Sequence, residues 1–490
     1  MKRFFISSSS DRNLLEALVP WADQVVGYNC ESSFNKNVRD ALDVKYLINN
    51  DLVHKYILEN SADLERVHYI YLSRYSKILE EILERYSYVD FRHSEKYFII
   101  DRLFYFYINI LKKSKTECLF MSNVPHTLDG VLLFLAAKFL KLETYFTQMT
   151  SMNGYVRLKK ANISDGGIFC FKDVNFKPET KKSTLILASL VEYKKSIINS
   201  KAPPQNYNRV LLAFKRKRFY RNFLFSNQAT FLLAFLLRSI IFKSSLNPHR
   251  ALSKVDKKLW LSRSATSILY RLSFYSSDYK MLKFQKESIG NYQKLTQNFT
   301  LPEKFVFIPL QMQPEASTSP LGGIFSSHLR FIEYVRSKLP YEFKIVVKEH
   351  PYQHDIAFSM ARLGRRSSDY EALNSIDGVS MAPLHYSTHE IIEGSLGVAV
   401  VTSSVGFEAA CYCKPVYVAG TPWWKVDLKD GLMSDSLIEF ICNLDYKISE
   451  EQSDTFLEIL ASKLCEGEFA DMESDVLLDE LVLKQMFSET

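Results

Sequence analysis

At 490 residues the chain is too long for one ordinary core, so two or three domains are expected. A composition of 47% apolar and 14% aromatic residues excludes a disordered protein, and 16 glycines and 15 prolines exclude a collagen-like one. Seven cysteines without a CxxC exclude a disulfide framework or zinc knuckle and point to reduced thiols, while the net charge of +7 comes with no recognised nucleic-acid motif, so nucleic acid is not expected as a partner.

The N-terminal stretch MKRFFISSSSDRN has an apolar run too short for a signal peptide and reads as a strand that begins at once, which predicts a cytoplasmic chain. Residues 1–185 alternate apolar runs with helical stretches. RFFISS, QVVGYN, CLFMSN, TYFTQM and GIFCF are the candidate strands. In CLFMSNVPHTLDG a strand leads to His126 and Asp129, an imidazole and a carboxylate at a strand's carboxyl end. Asp129 is either a general base toward an acceptor hydroxyl or a capping group of the adjoining helix.

Residues 186–300 read as a basic, helical middle segment. Between Arg209 and Lys283 lie 16 Lys or Arg against two acids, a local charge of +14 that includes the run Lys215, Arg216, Lys217 and Arg218. Within it, residues 222–242 are strongly apolar but are interrupted by Asn227, Gln228 and Arg238. The charge-free part is shorter than the roughly 20 residues of a spanning helix. An apolar face with basic neighbours suits a helix lying in an anionic membrane interface, where each Lys or Arg contributes about 1 kcal/mol. The alternative is a domain helix beside a solvated basic surface. The first reading predicts a peripheral protein on the inner face of the cytoplasmic membrane, held through Lys215, Arg216, Lys217 and Arg218.

From 301 to 450 strands and helices alternate regularly: KFVFIPLQ, FKIVVK, GVSMAPL, GVAVVT and KPVYVAG as strands, with helices between them. This predicts βαβ units and a parallel sheet covered on both faces. Residues 451–490 read as C-terminal helices. Ligands of such sheets bind beyond the carboxyl ends of the strands. The residues just past those ends are Gln311, Gln313 and Glu315; then Lys348, Glu349, His350 and Pro351; then Thr402, Ser403, Ser404, Gly406 and Glu408. In TSSVGFEAA a buried strand runs into Ser-Ser-x-Gly and a helix, whose start can hold a phosphate. Glu408 either accepts from ribose hydroxyls or complements the helix dipole, and His350 is either a ligand group or a structural histidine. No P-loop, GxGxxG, GxSxG or HExxH is present.

The series PLQMQPEASTSPLGG, VVKEHP and VTSSVGFEAACYCKPVYVAG, with SNVPHTLD upstream, resembles bacterial capsule and surface polysaccharide biosynthesis proteins, a group that includes the capsule Kdo transferases. More distantly, the His-Pro element and the Ser-Ser loop are similar to those of bacterial GT-B sialyltransferases. The resemblance covers about 120–150 and 305–425. It implies an α/β GT-B fold, two Rossmann-like domains facing a cleft, with the basic helical segment inserted between them. It further implies a glycosyltransferase of capsule or lipopolysaccharide synthesis, acting on a glycan or lipid-linked acceptor. The expected donor is a nucleotide sugar, a CMP-activated ulosonate such as Kdo or a sialic-acid-like sugar, used with no cofactor and no metal.

By the same resemblance His350 and Pro351 face the donor phosphate, and Ser403 and Ser404 the phosphate or ribose. Glu408 faces the nucleoside, Gln313 and Glu315 the cleft edge, and Asp129 and His126 the acceptor. The Asp/Glu-Asp-Gly element of the sialyltransferases is absent, which leaves the base open between Asp129 and His126. A UDP-sugar transferase or epimerase, and a non-catalytic capsule assembly or export partner, are the alternatives.

Overall fold

The computed structural model describes residues 2–6, 22–27, 65–85, 93–121, 123–152, 154–161, 171–174, 180–200, 268–355, 359–428, 430–467, 469–470 and 475–476. The chain divides into two compact units. Among the described residues, the first holds those up to Ile186 and those from Ser462 on; the second holds 187–200 and Ile268–Ala461.

The first unit opens with strands β1 (Lys2–Ile6) and β2 (Ala22–Gly27), followed by helices α1 (Arg66–Ser73), α2 (Ser76–Arg85) and α3 (His93–Lys113). Then come β3 (Cys118–Met121), α4 (Leu128–Phe139), β4 (Glu143–Met149), β5 (Tyr155–Ala161) and β6 (Phe171–Asp173). β2, β1, β3 and β4 pair in that order, all parallel, and β5 closes antiparallel on β4. The four residues of β3 are all buried, as a strand covered on both faces requires. α4 starts cleanly because the Thr127 hydroxyl accepts the Gly130 N–H.

β5 was not among the expected strands. Its sequence YVRLKKA carries three cations, yet Arg157 and Lys159 are buried. Asp173 on β6 accounts for this: it takes both Nε and Nη2 of Arg157 at 2.7 Å and the Lys159 ammonium at 2.7 Å. Burial raises the Asp173 carboxyl, but the two cations outweigh it and bring it down to about 2. The expected strand GIFCF lies, but for Phe171, outside the described residues.

Helix α5 (Thr180–Ser200) runs across the unit boundary, and α6 (Ile268–Leu295) begins the described part of the second unit after it. The sheet of this unit comprises β7 (Phe305–Pro309), β8 (Lys344–Lys348), β9 (Val379–Ala382), β10 (Gly397–Val400), β11 (Val416–Val418) and β12 (Met433–Ser434). Its helices are α7 (His328–Lys338), α8 (Ser367–Ser375), α9 (Thr388–Gly394), α10 (Val405–Cys411), α11 (Leu437–Cys442) and α12 (Glu450–Ala461). All strand pairs are parallel, in the order β9-β8-β7-β10-β11-β12. This is the doubly wound arrangement in which the winding reverses once, between β7 and β10. The expected α/β class is therefore observed, with a sixth strand, β12, too short to be seen in the sequence. The core forms where Phe331, Ile332 and Val335 of α7 pack with Val306, Ile308, Ile345 and Val347 of the sheet.

Two segments depart from the sequence reading. α6, assigned to the basic middle, is part of the second unit: Gln285 donates to the carbonyls of Gln353 and Asp355, and Tyr292 to that of Ala382. Residues 451–490 are not simply helical, because after α12 the strand β13 (Leu464–Glu466) pairs antiparallel with β5 in the first sheet. Residues 201–267, including the apolar stretch 222–242 and Lys215, Arg216, Lys217 and Arg218, lie outside the described residues. Among the described residues no helix is long and apolar enough to cross a membrane.

Candidate functional site

The strand order reverses between β7 and β10, and ligands of such folds bind beyond the carboxyl ends of the strands at that point. Two loops flank it. The loop after β7 carries Gln311, Gln313, Glu315 and Ser317, and the loop after β10 carries Thr402, Ser403 and Ser404. Gln311 joins them: its Nε2 donates to Thr402 Oγ1 at 3.0 Å and to Ser317 Oγ at 3.0 Å, and its Oε1 accepts the Thr402 N–H at 3.2 Å. Ser317 donates in turn to Glu315 at 2.7 Å. The Gln313 amide is held inside its loop by the Ser326 carbonyl at 2.9 Å and by Arg365 at 3.1 Å.

β8 ends on Lys348, Glu349 and His350, and the three have different surroundings. The buried Lys348 ammonium donates to Thr388 Oγ1 at 2.8 Å. Burial lowers its pKa, with Glu408 pulling the other way. Glu349 is 1% exposed and its carboxylate accepts from Arg365, Tyr370 and the His350 N–H. Burial favours its neutral form, but Arg365 and Tyr370 outweigh that and hold it below the usual carboxylate range. It is an internal anchor. His350 caps the short turn Pro351–His354, its Nδ1 accepting the Tyr352 N–H at 3.2 Å. Burial, with Arg365 and Lys348 adding and Glu349 opposing, lowers its pKa to about 4. The imidazole is therefore neutral near pH 7, with Nδ1 the acceptor and the proton on Nε2. Pro351 is exposed and its role is to start the turn.

α10 begins at the loop after β10. The N–H groups of Val405, Gly406 and Glu408 are already taken by Ser403 Oγ, the Ser403 carbonyl and the Ser404 carbonyl, so these amides are not an open anion nest. Ser404 is the N-cap but makes no side-chain cap bond. Gly406 is a packing glycine: a Cβ there would collide with the Trp424 ring and Val400. Glu408 is 6% exposed, and burial raises its carboxyl to about 8 against the pull of Lys348. At neutral pH it is mostly a protonated carboxylic acid, able to donate as well as accept.

In the first unit His126 lies just past β3, and its Nδ1 lies 2.8 Å from the Val124 carbonyl. As a neutral ring it donates from Nδ1, which leaves Nε2 as the basic nitrogen. Asp129 occupies the second position of α4, whose N-cap is Thr127, so Asp129 is not the capping residue.

Sequence reasoning passed over Arg365, Tyr370 and Thr388, which hold the expected residues in place. They lie in stretches read only as helical or connecting, and nothing in their local pattern reports a contact with residues 16 to 40 positions away.

Residues 263–463 match the family model described as capsule polysaccharide biosynthesis protein. The similarity to that family lies in this segment. It begins just ahead of α6, in keeping with the place of that helix in the second unit. The chain is also similar to the β-Kdo 2,7 transferase KpsC of Thermosulfurimonas dismutans, at 12% identity over 78% of this chain and 88% of that one, with a TM-score of 0.29. UDP-GlcNAc 2-epimerase from Methanocaldococcus jannaschii matches at 11% identity over 94% of this chain and 98% of that one, with a TM-score of 0.22. The β-Kdo 2,4 transferase of the same KpsC matches at 14% identity over 42% of this chain and 63% of that one, with a TM-score of 0.22. No curated protein matches the chain.

Proposed function

We propose that the chain is a glycosyltransferase of bacterial surface polysaccharide synthesis, in which the carboxyl edge of the second sheet holds a nucleotide sugar, a CMP-activated ulosonate. The single observation that carries this reading is the grouping of His350, Lys348, the Ser403–Ser404 loop and Glu408 along one edge at the reversal of the sheet. CMP leaves with a single phosphate, and donors in a water-poor site can stabilise its charge without a divalent ion. In this reading Nε2–H of His350 and the Lys348 ammonium answer the phosphate, the Ser404 hydroxyl the phosphate or ribose, and Glu408 the nucleoside. The base toward the acceptor is Asp129 or His126 of the first unit. Gln313 and Glu349 shape the edge from behind.

The acceptor is a glycan or lipid-linked oligosaccharide. The +14 charge between Arg209 and Lys283 supports a peripheral association with anionic membrane. The test is a thermal-shift panel of CMP, UMP, UDP and ADP on the full chain, followed by assay of CMP release from CMP-Kdo with lipid-linked acceptor. Stabilisation by CMP and release of CMP are expected. A shift with UDP alone would move the donor class to UDP-sugars, and no shift with any nucleotide would leave a non-catalytic partner of capsule assembly.

A further inference from the structure

The ligand edge of the second unit is organised by a group that belongs to none of its sequence motifs. Arg365 lies just ahead of α8, and its side chain is 4% exposed. Its Nε and Nη2 clamp the Glu349 carboxylate at 2.5 Å each. Nη2 also reaches the Gln311 carbonyl at 2.6 Å, and Nη1 the Gln313 side-chain oxygen at 3.1 Å. Glu349 takes the His350 N–H at 2.6 Å, and Gln311 holds Thr402. A continuous bonded path thus runs from His350 through Glu349, Arg365 and Gln311 to Thr402. It crosses from the loop after β8, past that after β7, to that after β10.

We propose that Arg365 is a positioning residue for this edge: acting through Glu349 and Gln311, it fixes the His350 imidazole and the Thr402–Ser404 loop in one register. The inference rests on the reading of the edge as the donor site. A planar guanidinium is needed because one group must meet a carboxylate bidentately and still reach a carbonyl beside it, which an ammonium cannot do. Its charge matters as well. The charged groups acting on His350 are Glu349, Lys348 and Arg365, and Glu349 alone favours the imidazolium. Burial is the largest influence that holds the ring neutral, and Arg365 adds to it by opposing Glu349.

The test uses the full chain, with CMP and UMP as probes, thermal unfolding as the check on folding, and amide hydrogen exchange as a ligand-free readout. Arg365→Lys keeps the charge and removes the fork. It should unfold with the same transitions as wild type, bind CMP at least about tenfold more weakly than wild type, and exchange faster in 311–318, 349–353 and 402–404 together, with β4 unchanged. Arg365→Gln removes the charge that opposes Glu349, so the ratio of its CMP affinity to that of wild type should rise as pH falls from 7 to 5, the ratio cancelling the titration of the CMP phosphate at about pH 6, while the same ratio for Arg365→Lys should stay flat. A loss of stability alone creates no such titration. Equal CMP affinity in Arg365→Lys and wild type, or faster exchange that spares 402–404, overturns the proposal. If wild type binds neither CMP nor UMP, the donor-site reading fails, and the exchange pattern of Arg365→Lys still decides the positioning role. Should Arg365→Gln not fold, the affinity and exchange of Arg365→Lys decide it.

Discussion

Gln311 and Thr402 tie the two loops at the sheet reversal in both directions: Thr402 donates its N–H to Gln311 Oε1, and Gln311 donates from Nε2 to Thr402 Oγ1. The two residues are 91 positions apart and both are buried. A primary amide is the side chain that can accept and donate in one plane, so the pair fixes the distance between the loops without placing a charge between them.

Gln311→Leu preserves bulk but leaves the Thr402 N–H without its partner. An unsatisfied buried donor costs about 1–3 kcal/mol. The variant should lose stability by that amount in urea unfolding at unchanged m-value, and should lose nucleotide binding with it. Unchanged stability would mean that the loops do not depend on this link.

Glu408 makes stability depend on pH. Its carboxyl titrates at about 8 when folded against an ordinary value of 4.5, so the folded chain binds more protons than the unfolded one between those values. Stability therefore falls as pH rises through that window. Glu408→Gln imitates the protonated form and removes the fall. Melting temperatures of variant and wild type should nearly coincide near pH 5, with the variant the more stable at pH 8 to 9. A gap that does not widen with pH would show that Glu408 is ionised throughout.

Asp173 has the opposite sign. Its folded value of about 2 lies below the ordinary 3.8, so its stabilisation is present above pH 3.8 and is lost as pH falls toward 2. Asp173→Asn strands Arg157 and Lys159, both buried, and breaking a buried pair in this way costs roughly 3–5 kcal/mol. Denaturant unfolding at pH 7 should show that loss, and the gap to wild type should close by pH 2.

For His126 the proposed role gives a kinetic expectation. His126 Nδ1–H is held by the Val124 carbonyl, so the proposed base is Nε2. His126→Ala should lower kcat by roughly 10²–10⁴ and leave CMP binding unchanged in calorimetry. If Asp129→Asn shows that loss instead, the base is Asp129.

The second unit was legible because its strands are near-continuous apolar runs separated by helical periods, and such runs have few other folds open to them. The candidate residues could be placed from the sequence, immediately past the carboxyl ends of those strands. Their division of labour was not legible. Lys348, Glu349 and His350 are neighbours in sequence, yet one meets Thr388, one is consumed by Arg365 and Tyr370, and one caps a turn. That difference is set by groups 16 to 40 residues downstream, whose local sequence reads as ordinary helix and connection. β5 escaped for a related reason: three cations interrupt its apolar pattern, and the aspartate that lets Arg157 and Lys159 be buried lies on another strand.

Gly406 separates the two readings of the Ser-Ser-x-Gly stretch. If the glycine served a ligand, an added methyl would harm binding and spare the fold. The structure instead sets the Trp424 ring and Val400 where a Cβ would stand, and the Gly406 N–H is already bonded to the Ser403 carbonyl. Trp424 is fully buried, so its ring has little room to retreat. Gly406→Ala should therefore lower stability by about 1–3 kcal/mol, the cost of overpacking a filled core. Trp424→Leu loses packing of its own but vacates the space. In the double variant Gly406→Ala should cost far less than it does alone, a coupling read by a double-mutant cycle in urea. Additive losses would remove the steric account and return Gly406 to the ligand.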